Sequence, residues 1–248
     1  MNAASATIPC PWSNHDPGSR PWLRRPTPQA REPPPGLWAV TAMTQTVQGG
    51  AAEPVPLVLV HGLWDTPRLF EPLRAALAER RTPLLVPHLP HGLGWVPLVQ
   101  LAEQLGAEIE RALGPGQPLD LLGFSMGGVI GRTWIQLLGG AQRTRRFISV
   151  ASPQNGTLAA LPWPRRLLAG VADMKPGSPL LQRLNTDLEP LRRVSCCSFY
   201  CPFDLTVVPG WKAVLPLGPR HALPGRRHER LLAEPDSLAP IVRELLRP

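Results

Sequence analysis

Ser125 lies between glycines in the stretch GFSMG, residues 123–127. An apolar run, PLDLLGF, precedes the serine, and a helical pattern, MGGVIGRTWIQLL, follows it. This is the strand–turn–helix context in which a G-x-S-x-G motif presents a nucleophile. Small neighbours allow the turn to hold the serine in a strained backbone conformation with its hydroxyl exposed. The pattern therefore predicts that Ser125 is a nucleophilic serine at the end of a buried strand.

Two backbone amides are candidates to stabilise the negative charge that attack by a serine creates. The amide of Met126 opens the helix after the motif, where N–H groups and the helix dipole favour an anion. The second candidate is the amide of Leu63, because Gly62 allows a sharp turn after the apolar run 57–60. His61 precedes that glycine, and we interpret it as a residue that shapes the loop rather than as a base.

The elements around these residues alternate between strand and helix. Short valine- and leucine-rich runs predict buried strands, and apolar residues at helical spacing predict helices between them. Such alternation is typical of a mostly parallel, doubly wound sheet with helices on both faces. Strands are predicted at 55–60, 84–87, 118–124, 146–152, 194–201 and, more weakly, 213–217, and helices at 67–81, 95–113, 126–138 and from about 236 to 246.

Four stretches resemble the α/β-hydrolases of the lipase class, close to bacterial triacylglycerol lipases and the lipid-deacylase-like group. They are HGLWDT (61–66), GFSMGG (123–128), SPQNGT (152–157) and DMKPGSPLLQRLN (173–185). The likeness covers about residues 55 to 246. It implies the α/β-hydrolase fold with a short lid insertion, serine hydrolysis and no metal or organic cofactor.

In that fold the acid and the histidine follow the serine along the chain. The segment SFYCPFDLTVVPG (198–210) offers Asp204 as the acid, although an aspartate there could also form a turn. Asp187 and Glu189 lie before the preceding strand and would need a different connection. For the base, His228 is favoured because it leads into the final helix as in the family, and His221 is the alternative.

The segment 157–192 is apolar and arginine-rich, and two interpretations of it stay open. It could be a lid over an acyl pocket, with Trp163 facing the substrate, or ordinary helical packing between strands. Trp64, in the loop after the first strand, is the second residue assigned to the substrate pocket.

Composition excludes several other classes of function. The chain has 248 residues and a net charge of +8, and only Lys175 and Lys212 among its 26 basic residues are lysines. Its arginines form no basic stripe with interleaved aromatics, so nucleic-acid binding is not expected. The densest cluster, RTRR at 143–146, is interpreted as solvated surface, with an anionic-membrane patch as the alternative. No cysteine has metal-ligand spacing, and three of the four cysteines are read as strand filler.

Residues 1–52 are expected to be a disordered, proline-rich extension, and residues 53–248 the hydrolase domain. Neither a secretory signal nor an apolar run of about 18 residues is evident, so the expected location is cytoplasmic, with peripheral membrane contact left open. Met43 is an alternative start of translation.

The sequence thus leads to the expectation of a serine esterase acting on lipid or other acyl esters, with no obligate protein partner. Three alternatives remain: acyl transfer by the same triad, cleavage of thioesters or amides, and a non-catalytic domain that binds an acyl ligand or a protein.

Overall fold

A computed structural model describes residues 55–247 of the chain. Its centre is a six-stranded sheet in the order β2-β1-β3-β4-β5-β6, in which every neighbouring pair of strands is parallel. The strands are β1 (Leu57–Val60), β2 (Leu84–Leu85), β3 (Leu119–Phe124), β4 (Thr144–Val150), β5 (Ser195–Tyr200) and β6 (Arg220–Ala222). The expected α/β-hydrolase architecture is confirmed.

Seven α-helices connect and cover the strands. They are α1 (Glu71–Leu77), α2 (Leu98–Leu113), α3 (Met126–Leu137), α4 (Ala169–Asp173), α5 (Pro179–Thr186), α6 (Glu189–Arg192) and α7 (Pro235–Leu245). Short 3₁₀ turns precede and follow α1, at Pro67–Phe70 and Ala78–Arg80.

Two apolar cores lie on opposite faces of the sheet, since successive strand residues point to opposite sides. One core contains β1 and β3 residues such as Val58 and Leu121 together with residues of α2, α3 and α5. The other contains Leu57 and Leu122 together with residues of α1 and α7. Helices therefore cover both faces, as the buried character of the strands predicts.

The weak strand prediction at 213–217 is wrong. A 3₁₀ turn occupies Gly210–Ala213, and the sixth strand instead forms at Arg220–Ala222, pairing Ser198 with Arg220. Pro216 and Pro219 have no amide N–H to donate to a neighbouring strand. This explains why the strand that pairs with β5 begins only after both prolines, at Arg220.

The arginine cluster 143–146 also differs from the expectation of a solvated surface. Asp120 is fully buried on β3, and Arg146 donates to its carboxylate from Nε at 2.9 Å and from Nη2 at 2.8 Å. Arg81 and Arg145 pair with the same carboxylate. These arginines balance a buried charge inside the sheet rather than forming a basic patch.

The predicted extension, residues 1–52, and Met43 lie outside the described residues, as does Cys10. Cys196, Cys197 and Cys201 are free, buried thiols in or just after β5. Burial raises the pKa of both Cys196 and Cys197 to about 12, so these thiols are packed as apolar side chains.

Candidate active site

Ser125 joins the end of β3 to the start of α3 in a backbone conformation that few non-glycine residues adopt. Its φ is 52° and its ψ is −127°. The Ser125 amide donates to the Val150 carbonyl at 2.9 Å, and the Gly128 amide donates to the Ser125 carbonyl at 3.1 Å. These bonds on both sides hold the turn in a geometry that would otherwise relax.

The glycines of the motif are required by close backbone approach. A Cβ on Gly123 would lie 2.4 Å from the Gly128 Cα, and one on Gly127 would lie 2.2 Å from the Val60 carbonyl oxygen. A Cβ on Gly128 would meet Ser152 Oγ at 2.0 Å. The space around the turn is thus filled by the end of β1, by the first turn of α3 and by Ser152, two residues after β4.

Asp204 and His228 are brought together by the loops that follow β5 and β6. His228 Nδ1 donates to Asp204 Oδ2 at 2.7 Å. The other carboxylate oxygen, Oδ1, accepts from the amides of Thr206 at 2.7 Å and Val207 at 3.0 Å. One carboxylate oxygen of Asp204 thus fixes a turn, and the other binds the imidazole of His228.

The His228 ring lies next to the serine turn. Its centroid is 5.0 Å from that of Phe124, the residue immediately before Ser125. Its Nε2 is buried and has no hydrogen-bond partner within the described part of the chain. Arg226, which precedes it by two residues, stands over the Phe203 ring at 5.8 Å from the centroid.

The alternative base and the alternative acids lie elsewhere. His221 is an exposed residue of β6, and its ring stacks on Phe199 with centroids 5.2 Å apart. Asp187 Oδ1 accepts from the Glu189 amide at the start of α6. Within residues 55–247, none of these side chains forms a hydrogen bond or an ion pair with Asp204 or His228.

The loop after β1 lies in close contact with Ser125. A Cβ on Gly62 would lie 2.8 Å from the Ser125 Cβ and 3.3 Å from its Oγ. Leu63 follows Gly62 directly, and Met126 follows Ser125, so the two residues whose amides are the oxyanion candidates flank this contact along the chain. Close approach of the backbone is the reason for glycine at this position.

His61 has both ring nitrogens engaged with the backbone. Its Nε2 accepts from the Leu89 amide at 3.1 Å, and its Nδ1 donates to the Gly62 carbonyl at 3.0 Å. Burial lowers the pKa of His61, and the neighbouring His91 and His88 lower it further, whereas the bond to Gly62 raises it. These contacts support the structural role expected for His61.

Asp65 is a carboxylate at this site that the sequence analysis did not single out. Its Oδ2 lies 2.7 Å from the position of a Cβ on Gly62, on the same side as Ser125. Burial raises the pKa of Asp65, and the nearby His228 and His91 partly oppose this effect. The sequence did contain an indication that Asp65 belongs to the site, because this residue follows a predicted strand. Ligands bind at the carboxyl edge of the sheet in such folds.

The segment predicted as a lid divides into two parts. Helices α5 and α6 pack against α3 through buried leucines such as Leu181 and Leu191, so this part follows the packing interpretation. Residues 158–168 form an outer segment instead, where Trp163 is 46% exposed. Trp64 is 66% exposed at the edge of a cleft beside Asp65.

Arg132 is a further residue that sequence analysis did not identify. Arg132 is fully buried on α3, and none of its partners among residues 55–247 is a carboxylate. It donates to Gln136 Oε1, the Gln154 and Leu184 carbonyls and Asn185 Oδ1. Burial lowers its pKa to about 10. Arg132 fixes the helix that starts at Ser125 to α5 and to the loop after β4.

Within residues 55–247, no group of three or more His, Cys, Asp or Glu side chains is arranged to hold a metal ion. In the same range, no helix has the length and apolarity needed to cross a membrane.

Solved structures of several hydrolases share this fold. The mature lipase of Bacillus licheniformis is 13% identical, with a TM-score of 0.60, and the match covers 78% of this chain and 92% of the lipase. Lipase B of Aspergillus fumigatus is 18% identical, with a TM-score of 0.62, and the match covers 78% of this chain but 52% of the lipase. The RedJ thioesterase of Streptomyces coelicolor is 19% identical, with a TM-score of 0.53 and coverage of 79% and 91%.

No curated protein sequence matches the chain. A family model described as the alpha/beta hydrolase family matches residues 57–247, which is most of the chain and nearly all of the described part. The parallel sheet, the strained Ser125 turn and this match lead to one conclusion: the chain belongs to the alpha/beta hydrolase family.

Proposed function

We propose that the protein is a serine hydrolase that cleaves carboxylic esters, with Ser125 as nucleophile, His228 as base and Asp204 as the acid that orients the base. The observation that carries the proposal is the Asp204–His228 bond of 2.7 Å, which leaves a buried Nε2 without a partner beside the Ser125 turn. A histidine held at Nδ1 presents Nε2 to accept a proton.

The first half-reaction transfers the acyl group to the serine. Ser125 Oγ attacks the ester carbonyl carbon while its proton passes to His228 Nε2. The amides of Leu63 and Met126 stabilise the oxyanion. The carbon–oxygen bond to the alcohol then breaks, and the alcohol leaves with the proton from His228.

The second half-reaction releases the acid. Water gives a proton to His228 Nε2 as its oxygen attacks the acyl carbonyl. The bond to Ser125 Oγ breaks, Oγ recovers the proton, and the carboxylic acid departs. A bound alcohol in place of water would give acyl transfer by the same steps.

An exposed apolar surface supports an apolar acyl group as substrate. Its residues come from two segments, 158–167 and 203–211, that hydrogen bonds join. The Leu158 amide donates to the Val208 carbonyl at 2.9 Å, and Thr157 Oγ1 donates to the Thr206 carbonyl at 2.8 Å. Asp204 belongs to one of these segments. We refer to this set as the outer surface: Leu158, Leu161, Trp163, Leu167, Phe203, Leu205 and Trp211.

We further propose that the outer surface makes peripheral contact with lipid. Several large apolar side chains exposed together mark an interaction site in a water-soluble fold. A basic chain with a net charge of +8 favours an anionic lipid surface.

Labelling with a fluorophosphonate probe, read by intact mass, tests the catalytic proposal. The wild-type protein is expected to gain one adduct, and the Ser125→Ala variant none. Turnover of p-nitrophenyl esters then separates hydrolysis from simple binding. A folded wild-type protein that takes no adduct and hydrolyses no ester would favour the non-catalytic binding domain instead.

A further inference from the structure

Asp65 and Ser125 both lie close to Gly62, in the loop after β1. A Cβ on Gly62 would lie 2.7 Å from Asp65 Oδ2 and 2.8 Å from the Ser125 Cβ. Asp65 is therefore close enough to the serine to contact a group attached to the reacting ester. The proposed chemistry assigns no step to this carboxylate.

Asp65 differs from the three buried aspartates of the described chain in its partners. Asp120 pairs with three arginines, Asp173 pairs with Arg165, and Asp204 binds His228 and two backbone amides. Within residues 55–247, Asp65 forms no ion pair with an arginine or lysine. Its partners are the Gly62 amide and the nearby rings of His228 and His91, so the carboxylate next to Ser125 has no permanently charged partner among the described residues.

A cleft of about 450 Å³ opens next to this carboxylate. Its walls include Trp64, Asp65, His88, His91 and Leu93. The backbone of Trp64 has a φ of 62°, which is unusual for a bulky residue, and its indole is 66% exposed at the cleft. Backbone strain of this kind persists where the surrounding structure enforces a particular side-chain placement.

The polar groups of the cleft are suited to a ligand that donates hydrogen bonds or carries a positive charge. His91 Nδ1 donates to the Gly92 carbonyl, so Nε2 is the ring nitrogen left for another partner. Asp65 supplies a carboxylate to the cleft, and the exposed face of an indole attracts cations. Apart from the histidines, no basic side chain lines this cleft.

We propose that this cleft binds an ammonium group on the alcohol part of the ester, with the charge paired to Asp65 and its methyl or methylene groups against Trp64. The proposal rests on the proposed function, since it names the substrate class of the Ser125 site. The cleft would hold the cationic alcohol while the acyl group extends towards the outer surface.

A pair of esters with the same shape and different charge tests the proposal. Butyrylcholine and 3,3-dimethylbutyl butyrate differ chiefly in having nitrogen or carbon at the centre of the terminal group. We expect wild-type kcat/KM to be at least about tenfold higher for the cationic ester. Asp65→Asn should bring this ratio close to one, chiefly through KM for butyrylcholine. Glu103→Gln, an exposed acid on α2, is the control that removes the same charge elsewhere.

Binding without turnover gives a separate readout. Choline titrated calorimetrically into Ser125→Ala protein should bind, and adding Asp65→Asn should weaken that binding by about tenfold. Asp65→Ser serves as the second variant if Asp65→Asn does not fold, as judged by its thermal melt. Choline binding unaffected by removal of Asp65 would overturn the assignment.

The failures of the two proposals are distinguishable. Equal turnover of both esters, together with no choline binding, would refute the cation cleft and leave the hydrolase proposal standing. Choline binding that depends on Asp65, in a protein that takes no probe adduct and hydrolyses no ester, would refute the hydrolase and keep the cleft as a cation site.

Discussion

His228 Nδ1 lies 2.7 Å from Asp204 Oδ2, while Asp204 Oδ1 is held by the amides of Thr206 and Val207. The carboxylate cannot rotate without losing two backbone bonds, so the imidazole orientation is fixed by the loop after β5. This relationship makes the proposed base and acid one unit rather than two independent groups.

Asp204→Asn should retain the fold but lose most of the proposed esterase activity. The amide can still accept the two backbone bonds, but it no longer fixes the histidine tautomer as a carboxylate does. We expect kcat to fall by about 10³- to 10⁴-fold, measured with p-nitrophenyl butyrate. A variant that melts normally and keeps a tenth of wild-type kcat would show that Asp204 is not the orienting acid.

His228→Ala and His221→Ala separate the two histidines that the sequence left open. The first should abolish both probe labelling and turnover, because it removes the imidazole that lies beside the Ser125 turn and is held by Asp204. The second removes an exposed ring stacked on Phe199 and should leave kcat within about twofold, as expected for a surface change. The reverse pattern would assign the base to His221.

His61 should make the folded state less stable as the pH falls. Its pKa in the folded protein is lowered from 6.5, chiefly by burial, so the unfolded chain binds the proton more readily. The penalty is absent well above pH 6.5 and grows as the pH drops below this value, by at most about 1.4 kcal/mol per pH unit.

Urea unfolding at pH 8, 7, 6 and 5 measures this dependence. His61→Gln should be less stable at pH 8, because two buried backbone contacts are disturbed, but should show a shallower loss towards pH 5. His221→Ala, at an exposed position, is the control. Parallel pH profiles for wild type and His61→Gln would contradict the prediction.

Asp120→Asn should strongly destabilise the protein. The change leaves the buried guanidinium of Arg146 and the largely buried one of Arg81 without their shared counter-charge. Loss of one partner from such a pair costs about 3–5 kcal/mol in the free energy of unfolding. Glu108→Gln, which breaks the exposed pair with Arg111, should cost less than about 1 kcal/mol. Equal losses in the two variants would contradict a structural role for the Asp120 cluster.

Replacing Leu161 and Trp163 with serine should weaken lipid binding by the outer surface. Each exposed side chain contributes about 1.5–3 kcal/mol when removed from water, so the double variant should lower the vesicle-bound fraction by at least about tenfold. Cosedimentation with phosphatidylglycerol vesicles measures this, and the thermal melt of the double variant checks that it is folded. Unaltered binding would place the lipid contact on another surface.

The sequence predicted the fold well because its strongest signals are local. Buried strands such as Leu119–Phe124 are continuous apolar runs, and the glycines around Ser125 leave few alternatives to a tight strand–helix turn. The prediction misplaced the sixth strand because this strand is only three residues long and wholly exposed. No apolar run in the sequence therefore indicates its position.

The distant pairings of charged residues could not be predicted in the same way. Asp120 and Arg146 are separated by 26 positions, and Arg132 binds carbonyl groups up to 52 positions away. Nothing in the local sequence distinguishes such arginines from solvated ones, because their partners are set by the packing of strands and helices. For Asp65, only the three-dimensional contact with Gly62 revealed its closeness to Ser125.

Arg132 has a consequence for how the protein can diversify. It secures the helix behind Ser125 from within, through carbonyls of α5 and of the loop after β4, and none of its partners belongs to residues 158–168 or 203–211. Mutations of the exposed apolar side chains in these segments, with Asp204 kept, can therefore accumulate without loosening the Ser125 turn. Libraries restricted to the outer surface should change substrate preference in many clones while most of them remain folded.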